Sequence, residues 1–306
     1  MTKNKILIVG SCNTDMVIKT ERFPLPGETI IGGEFFMNPG GKGANQAMAA
    51  KRLGGEVIFI GKIGEDIFGQ NSLNLMKSEG IDIRYLGKDS EMPSGVALIT
   101  VDSTGENSIV VAPGSNGKLT PADFDRALSE LDEVAVILLQ LEIPLETVEH
   151  IVRIASKNDI RIVLNPAPGR DLPDTMLKDI SAITPNETEA EILTGVKVVD
   201  IDTAKKASEI LRSRGVREVI ITMGAEGAFV LSDSYNGMVR TPSVEVQDTT
   251  AAGDTFNGAL AVGLAEKKSL HEAVELACKV ASLSVTRMGA QSSIPYREEL
   301  NQLEKL

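Results

Sequence analysis

Short apolar runs alternate with segments of helical periodicity along most of this 306-residue chain. The first run, Lys5–Gly10, is continuous and ends in glycine, which is typical of a strand buried on both faces of a parallel sheet. This alternation predicts an α/β fold, a three-layer αβα sandwich with a mostly parallel central sheet. Further strands are predicted at 57–60, 134–140, 161–165, 180–184 and 218–223, and helices at 67–78, 121–131, 145–158, 186–194 and 203–214.

Two stretches interrupt the alternation, because their strand-like runs have no helices between them. The first, at about 16–37, holds MVIKT and ETIIGGEFFM, and the second, at about 95–113, holds GVALITVD and ENSIVVAP. They predict a small separate sheet inserted twice into a single domain that spans 1–306. A small sheet standing alone exposes an apolar face, so we expect it to cover a ligand as a lid or to contact a second copy of the chain.

Composition excludes several classes of partner. The formal net charge is −12, whereas a nucleic-acid surface needs basic stripes, so no nucleic-acid partner is expected. No apolar run approaches the ~20 residues of a membrane span, and the first ten residues do not form a signal peptide. Cys12 and Cys278 stand alone without disulfide or metal spacing, which favours a cytoplasmic location.

The stretch Asp248–Leu260, DTTAAGDTFNGAL, contains the strongest candidate site. A helix is predicted from Asp254 to Lys267, after a turn of residues with little or no side chain. Unpaired amide groups and a partial positive charge at a helix start suit a phosphate. Asp254 is then placed to remove a proton from a nearby hydroxyl, although a simple helix N-cap is an equally good interpretation of this aspartate.

A second glycine-rich stretch, NPGGKGANQAMAAKRLGG, begins at Asn38. It matches neither the phosphate-binding P-loop nor the dinucleotide-binding fingerprint, because its Lys and Gly spacings differ from both. Lys42 or Asn45 can reach a small polar ligand here, or the glycines simply start a packed helix. Polar groups after predicted strands (Asn13, Thr14, Asp15 and Glu142) lie where ligands of α/β sheets bind, although turns and solvated loops also explain them.

Other patterns reduce the number of reaction classes that fit the sequence. Asn186 and Glu189 fit a helix capping box, and Gly224 and Gly227 bracket either a hairpin turn or a nucleotide-lined loop. His150 and His271 lie inside predicted helices, away from any zinc motif or serine-nucleophile motif. The remaining combination, an anion-binding helix start with an acid beside it, describes phosphoryl transfer to an alcohol.

Taken together, these motifs resemble those of the ribokinase family of sugar kinases, which are kinases of the phosphofructokinase-B type. NPGGKGANQA and DTTAAGDTFNGAL are similar to its two signature motifs. The likeness continues in order through GSCNTD, QLEIP, NPAPGR, TPNETEAE, TMGAEGA and VTRMGAQSSIP. It implies a Rossmann-like fold with ATP and Mg²⁺ as cofactors, K⁺ as an activator, and a β-sheet lid that also joins a homodimer.

The resemblance also implies roles for individual residues. Asp254 is the expected base, and the amides of Ala251, Ala252 and Gly253 form the expected anion hole. The sugar-contacting positions are Asn13, Thr14, Asp15, Gly41, Lys42, Gly43, Asn45, Glu142 and Asp254. The ATP positions are Asn186, Thr222, Met223, Gly224, Ala225, Glu226, Gly227, Gly253, Asp254 and Cys278, the last where the family often has Asn or His. The K⁺ positions are Asp248, Thr250, Ser284, Arg287, Gly289 and Ser293, and Glu189 is associated with Mg²⁺.

The implied activity is ATP-dependent phosphorylation of D-ribose at the 5-hydroxyl. Within the family, deoxyribose, a ketohexose or a nucleoside are alternative acceptors. The polar set of Asn13, Asp15, Lys42 and Glu142 favours a small hydrophilic sugar, since no aromatic residue is placed to stack a base. A non-catalytic sugar sensor and a dinucleotide-dependent enzyme are the alternatives from other classes. A sugar sensor would not need Asp254 as a base, and a dinucleotide-dependent enzyme would need a glycine spacing that this chain does not have.

Overall fold

A computed structural model describes residues 3–300 of the chain, and its strands and helices follow the predicted alternation. Within these residues the strands are β1 (Lys5–Val9), β2 (Asn13–Lys19), β3 (Phe35–Gly40), β4 (Glu56–Gly64), β5 (Asp82–Asp89), β6 (Gly95–Val101), β7 (Asn107–Ala112), β8 (Val134–Leu139), β9 (Arg161–Leu164), β10 (Ala182–Ile183), β11 (Glu218–Thr222), β12 (Ala228–Leu231) and β13 (Asn236–Val239). The helices are α1 (Lys42–Arg52), α2 (Ile67–Ser78), α3 (Pro121–Asp125), α4 (Leu145–Lys157), α5 (Asp174–Leu177), α6 (Glu187–Thr194), α7 (Ile201–Ser213), α8 (Ala252–Ala265) and α9 (Leu270–Ser284).

The large sheet has the order β13-β12-β11-β10-β9-β8-β1-β4-β5. Neighbours from β5 to β11 are parallel, and only β12 and β13 run antiparallel to the strands beside them. Both faces of the sheet are covered. Ile6 and Ile8 of β1 face a core formed with α1, α8 and α9, whereas Leu7 and Val9 face a core formed with α4 and α7. The fold is therefore a three-layer αβα sandwich, as the alternation predicts.

The small sheet has the order β3-β2-β6-β7 and is built from the two interrupting stretches. Its strands β2 and β6 are parallel, and each pairs with an antiparallel partner at the edge. Alternate residues face opposite sides of the sheet. Val17, Phe36 and Ile99 on one side line a cavity, while Leu98 and Val110 on the other side are 54% and 66% exposed.

Close packing of two helices brings the N-terminal and C-terminal signature stretches together. A Cβ on Gly258 of α8 would lie 2.6 Å from the Cβ of Ala49 and 2.7 Å from the backbone oxygen of Gln46 on α1. Real Cβ atoms do not approach other atoms so closely, so glycine at this position permits the contact. The first turn of α8 then lies beside the first turns of α1.

Several boundaries differ from the predictions. ETIIGGEFFM forms a strand only from Phe35, because the pairing with β2 begins at Phe35 opposite Ile18 and the preceding glycine-rich residues have no partner strand. The helix predicted at 121–131 is α-helical only over α3 and continues as a 3₁₀ segment at Leu128–Glu133. Strand β5 escaped prediction, because an edge strand with the polar sequence DIRYLGKD has no clear period.

The polar residues Asn13 to Asp15 do not simply follow β1, since they form the start of β2 in the small sheet. Residues 224–226 form a 3₁₀ turn between the antiparallel strands β11 and β12, which confirms the hairpin interpretation. Among the described residues no helix combines the length and apolar character required to cross a membrane. The predicted single domain over 1–306 includes residues 1, 2 and 301–306, which lie outside the described residues.

Candidate functional site

A cavity of about 240 Å³ lies at the carboxyl ends of the parallel strands, next to the start of α8. Asn165, Thr184 and Thr222, at or just after the ends of β9, β10 and β11, line one side of it. Ligands of α/β sheets bind at this edge. The other lining residues are Lys42, Ala167, Asn186, Glu189, Thr249, Ala251, Ala252, Gly253, Asp254 and Asn257.

Asp254 lies in the first turn of α8 and is only 7% exposed. Its Oδ2 accepts a hydrogen bond of 2.9 Å from Asn45 Nδ2, and its Oδ1 accepts one of 3.0 Å from Gln46 Nε2. The N-cap interpretation of Asp254 is wrong. Ala251, with a left-handed φ of 59°, occupies the N-cap position, and the aspartate bonds to α1 instead of capping its own helix. Its carboxylate is therefore free to act on a ligand in the cavity.

The charges around the cavity determine the ionisation of Asp254. Burial raises the pKa of its carboxyl above the ordinary value, while Lys42 and the amides of Asn45 and Gln46 oppose that rise. Burial acts to lower the pKa of Lys42, but the carboxylates of Asp254, Glu142, Glu189 and Asp15 raise it above its usual value. Lys42 is thus held as a cation. A carboxyl with a raised pKa beside a fixed cation suits a general base.

The turn before α8 presents backbone amide groups to the same cavity. The N–H of Ala252 already donates to the carbonyl oxygen of Thr249 at 3.1 Å. Within residues 3–300, the N–H groups of Ala251 and Gly253 form no hydrogen bond. Two of the three predicted anion-hole donors are therefore available to a ligand in this arrangement, and the partial positive charge of the helix start favours an anion there.

A second cavity, of about 890 Å³, lies between the small sheet and the segments around Asp248 and Gly289. Thr249 lines both cavities. Asp15 of β2 lies in the larger one, and Gly40 makes room for it, since a Cβ there would lie 2.3–2.4 Å from the Asp15 carboxylate. Burial, followed by the nearby charges of Glu142 and Asp254, raises the pKa of Asp15 to about 6, against the opposing effect of Lys42.

The remaining predicted sugar residues surround the junction of β1, β2 and α1. Glu142 is half-buried, and its Oε2 accepts hydrogen bonds from Ser11 Oγ at 2.5 Å and from the backbone N–H of Lys42 at 3.1 Å. It is therefore not a solvated loop glutamate. Asn13 is 4% exposed, and its Oδ1 accepts a hydrogen bond of 2.7 Å from Asn116 Nδ2. The structure also places Thr14, Gly41 and Gly43 in this region, mostly buried.

Next to Thr222, with which Asn186 is paired in a β-bridge, Asn186 and Glu189 form the predicted capping box of α6. Asn186 Oδ1 accepts from the Glu189 N–H at 2.8 Å, and Glu189 Oε2 accepts from the Asn186 N–H at 2.9 Å. Burial raises the pKa of Glu189. Both residues line the cavity, so the capping role does not remove them from the site.

The other predicted ATP positions divide into two groups. Thr222 lines the cavity, and Gly224, Ala225 and Glu226 form the exposed turn that follows it, between Met223 and Gly227. Cys278 is in the hydrophobic core of α9, 3% exposed, with its Sγ 3.8 Å from the carbonyl oxygen of Val239. Burial raises the pKa of this thiol to about 12. The structure does not bring the Cys278 side chain into the cavity.

The predicted cation positions meet beside the turn that precedes α8. Asp248 Oδ1 accepts from both the N–H and the Oγ1 of Thr250, at 2.9 and 2.6 Å, and Oδ2 accepts from the Gly289 N–H at 2.8 Å. Burial alone would raise the pKa of Asp248, but these hydrogen bonds hold it below its ordinary value. Ser284 and Ser293 are buried with their hydroxyls donating to backbone carbonyls, and the Arg287 side chain pairs with Glu299.

The site also contains residues that the motifs did not single out. Gln46, Gln140 and Asn165 form a buried amide network behind Asp254. Asn38, which lies opposite Asp15 in the small sheet, lines the 890 Å³ cavity. A polar residue with 0% exposure, such as Gln46, gives no signal in a single sequence, because its role depends on contacts more than 90 positions away.

Within residues 3–300, no group of three or more His, Cys, Asp or Glu residues forms a metal cluster.

Comparison with known proteins identifies the class. Residues 3–297 match the model of the pfkB family of carbohydrate kinases, and the chain belongs to this family. The resemblance inferred from its motifs is thereby confirmed. A ribokinase of Haemophilus influenzae is 44% identical to this chain over 97% of both sequences, and a deoxyribokinase of Salmonella typhi is 38% identical over 97% of both. The structure of Arabidopsis thaliana ribokinase complexed with ribose and ATP covers 99% of both chains at 31% identity, with a TM-score of 0.92.

Proposed function

We propose that this protein transfers the γ-phosphoryl group of ATP to the 5-hydroxyl of D-ribose, giving ribose 5-phosphate and ADP. The observation that carries the proposal is the position of Asp254. It is a buried carboxylate at a helix start with free amides beside it and a cation nearby. The 44% identity to a ribokinase over nearly the whole chain supports ribose as the acceptor.

In the proposed reaction the residues around the 240 Å³ cavity position the reactants and stabilise charge. Asp254 accepts the proton of the sugar's primary hydroxyl, whose oxygen attacks the γ-phosphorus as the bond from that phosphorus to the bridging oxygen breaks and ADP leaves. The amides of Ala251 and Gly253 receive the negative oxygens of the transferring group, with Ala252 completing the turn. Lys42 balances the charge that the phosphates bring among four carboxylates. Phosphoryl transfer depends mainly on such positioning and electrostatic stabilisation.

Sugar recognition is assigned to the region near Thr249, which lines both cavities. Asp15, Asn13, Asn45 and Glu142 supply paired donors and acceptors of the kind a polyol requires, with Thr14 and the glycines 41 and 43 shaping the backbone. These four polar side chains support a sugar over a nucleoside, although Phe36 of the small sheet does place an aromatic ring on the wall of the 890 Å³ cavity, contrary to the expectation from the sequence. Deoxyribose is the closest alternative, since a deoxyribokinase is also a full-length relative.

ATP is assigned to the cavity side formed by Asn186, Thr222 and the turn at 223–227. Mg²⁺ is assigned to the carboxylate of Glu189, because Mg²⁺ in such sites is typically held by one or two carboxylates together with the substrate phosphates. K⁺ is assigned to the group formed by Asp248, Thr250 and the backbone oxygens around Ser284, Arg287, Gly289 and Ser293. The donors available there are carboxylate, hydroxyl and carbonyl oxygens, which suit a hard monovalent cation.

The small sheet is assigned as a lid over the sugar and as the contact between two copies in a homodimer. One face lines the 890 Å³ cavity. On the other face Met37, Met16, Leu98 and Val110 occupy one row across the four strands, and three of them are more than half exposed. A second copy would bury this apolar row. We assign the protein to the cytoplasm, because both cysteines are free.

A coupled assay of ADP release tests the proposed acceptor. Ribose, 2-deoxyribose, fructose and adenosine are compared at equal concentrations, with K⁺ and with tetramethylammonium in its place. Ribose should give the highest kcat/KM, and K⁺ should raise it. Equal turnover on deoxyribose, or none on ribose, would contradict the assignment of the substrate. Rates that do not depend on K⁺ would contradict the cation site alone.

A further inference from the structure

Gln46 lies directly behind the proposed base and takes no part in lining either cavity. It belongs to the first half of α1 and is 0% exposed. Its Nε2 donates to Asp254 Oδ1 and to Asn165 Oδ1, both at 3.0 Å, and its Oε1 accepts a hydrogen bond of 2.6 Å from Gln140 Nε2. A residue in this place can act on the substrate only through Asp254 or Asn165.

The orientation of this amide is fixed by a backbone group. Asn165 Nδ2 donates to the carbonyl oxygen of Thr184 at 3.3 Å, and a backbone carbonyl can only accept. Asn165 therefore presents its Oδ1 to Gln46, so Gln46 must present an N–H group to it. The same Nε2 then points its second hydrogen at Asp254. The reversed amide would place Oε1 against two other oxygens, and Gln140 would lose its acceptor.

We propose that Gln46 is a positioning residue, whose amide, held by Asn165 and Gln140, keeps the carboxylate of Asp254 ionised and oriented to accept the proton of the sugar hydroxyl. The inference rests on the proposed function and deepens it. Asn45 holds Oδ2 and Gln46 holds Oδ1, so the carboxylate cannot rotate without breaking one of the two bonds. Each oxygen keeps a second lone pair for a ligand, and Asp254 lines the 240 Å³ cavity.

The hydrogen bond from Gln46 also favours the charged form of a carboxyl that burial pushes toward the neutral form. Burial is the largest influence on the pKa of Asp254 and raises it, as does the charge of Glu142, whereas Lys42, Asn45 and Gln46 lower it. Removing the donor should raise that pKa further. Less of the base is then ionised at a given pH, so the acid limb of the pH–rate profile moves to higher pH.

The test compares wild type, Gln46→Met, Gln140→Met and Thr147→Val. Methionine keeps most of the volume of glutamine without its donors. Thr147 is 1% exposed, donates a hydrogen bond of 2.8 Å to Leu119 O and lines neither cavity, so its variant controls for the loss of a buried hydrogen bond. For each protein we would measure kcat, the KM values for ribose and ATP, the acid limb of the kcat/KM profile and the melting temperature.

Gln46→Met should lower kcat about 10- to 100-fold, which is the range for one lost hydrogen bond to a charged group. Both KM values should change less than threefold, and the acid limb should move to higher pH. Gln140→Met should shift the limb in the same direction by less, since it only loosens the amide. Thr147→Val should leave the profile unchanged. An unchanged acid limb in Gln46→Met, with or without loss of kcat, overturns the inference.

A second measurement tests the role of Gln46 independently of which sugar the protein phosphorylates. The titration of the Asp254 carboxyl can be followed by ¹³C NMR in wild type and in each variant without any turnover. The inference expects a higher pKa in Gln46→Met, and an unchanged pKa overturns it even if wild type phosphorylates no sugar. If Gln46→Met does not fold, Gln140→Met decides by the same titration. Absence of ribose turnover in wild type contradicts the proposed function only.

Discussion

Asn45 and Asp254 are 209 positions apart in the chain and are joined by a hydrogen bond of 2.9 Å between Nδ2 and Oδ2. This bond connects the first turns of α1 and α8, and therefore the two glycine-rich stretches of the sequence. Gln291 Nε2 in turn donates to Asn45 Oδ1 at 3.0 Å. The proposed base is thus linked through one side chain to the segment that carries Gly289 and Ser293. Residues from three distant parts of the chain determine how this carboxylate is held.

Asp15→Asn should make the ligand-free protein more stable and its sugar binding weaker. The pKa of Asp15 is raised from 3.8 to about 6, first by burial and then by Glu142 and Asp254. An ionised Asp15 therefore costs folding free energy above pH 6, and this cost disappears as the pH falls toward 4. Differential scanning calorimetry at pH 7.5 should show a gain of about 1–3 kcal/mol, absent at pH 4.

The control for that experiment is Asp132→Asn, which changes an exposed aspartate. It should leave both the melting temperature and ribose binding close to wild type. Isothermal titration of ribose into Asp15→Asn should show at least a tenfold weaker Kd. A variant that loses stability at pH 7.5, or that binds ribose as wild type does, would refute the role given to Asp15.

Lys42→Met should shift the acid limb of kcat/KM to higher pH and lower the maximal rate. Lys42 is the strongest influence that keeps the pKa of Asp254 from rising further through burial. Without the cation, Asp254 is protonated at higher pH, so less of the base is ionised at a given pH. Lys51→Met, the same substitution on the same helix, serves as the control and should keep the wild-type profile. An unshifted limb in Lys42→Met would contradict the electrostatic role.

Val110→Glu should convert the proposed dimer into a monomer. Val110 is 66% exposed on the outer face of the small sheet, and a carboxylate there cannot be buried against an apolar partner without a large desolvation cost. Val199, also 66% exposed but outside both sheets, provides the matched control Val199→Glu. Sedimentation velocity at micromolar concentration should show dimers for wild type and the control. A monomeric wild type, or a dimeric Val110→Glu, would remove this interface.

The fold could be predicted from the sequence largely because its strongest signals are local. Continuous apolar runs such as that of β1, buried on both faces, identify the central strands, and the amphipathic period of α2 gives its bounds correctly. Edge strands are different. β5 is mixed in burial along its whole length, and the residues before β3 resemble a strand but lack a partner. Whether such a segment forms a strand depends on its pairing with another strand, which is a property of the tertiary structure.

Only those residues of the candidate site that lie in short sequence motifs could be predicted. Asp254 and Lys42 stand in signature stretches, and the structure brings both into one cavity. The left-handed Ala251 and the engaged amide of Ala252 could not be foreseen, because backbone conformation at a helix start depends on the preceding turn. The buried position of Cys278 and the amide network of Gln46 depend on packing between elements, which no spacing in one sequence reveals.

Asp254→Asn separates binding from proton transfer, because asparagine keeps the shape of the side chain and removes the base. Ribose 5-phosphate formation should be measured in a rapid-quench single-turnover experiment with saturating ATP and ribose, alongside Kd values for both. If Asp254 is the base, both substrates should bind within threefold of wild type, and the rate of phosphoryl transfer should fall about 10²- to 10⁴-fold. A transfer rate within a few-fold of wild type would contradict this role.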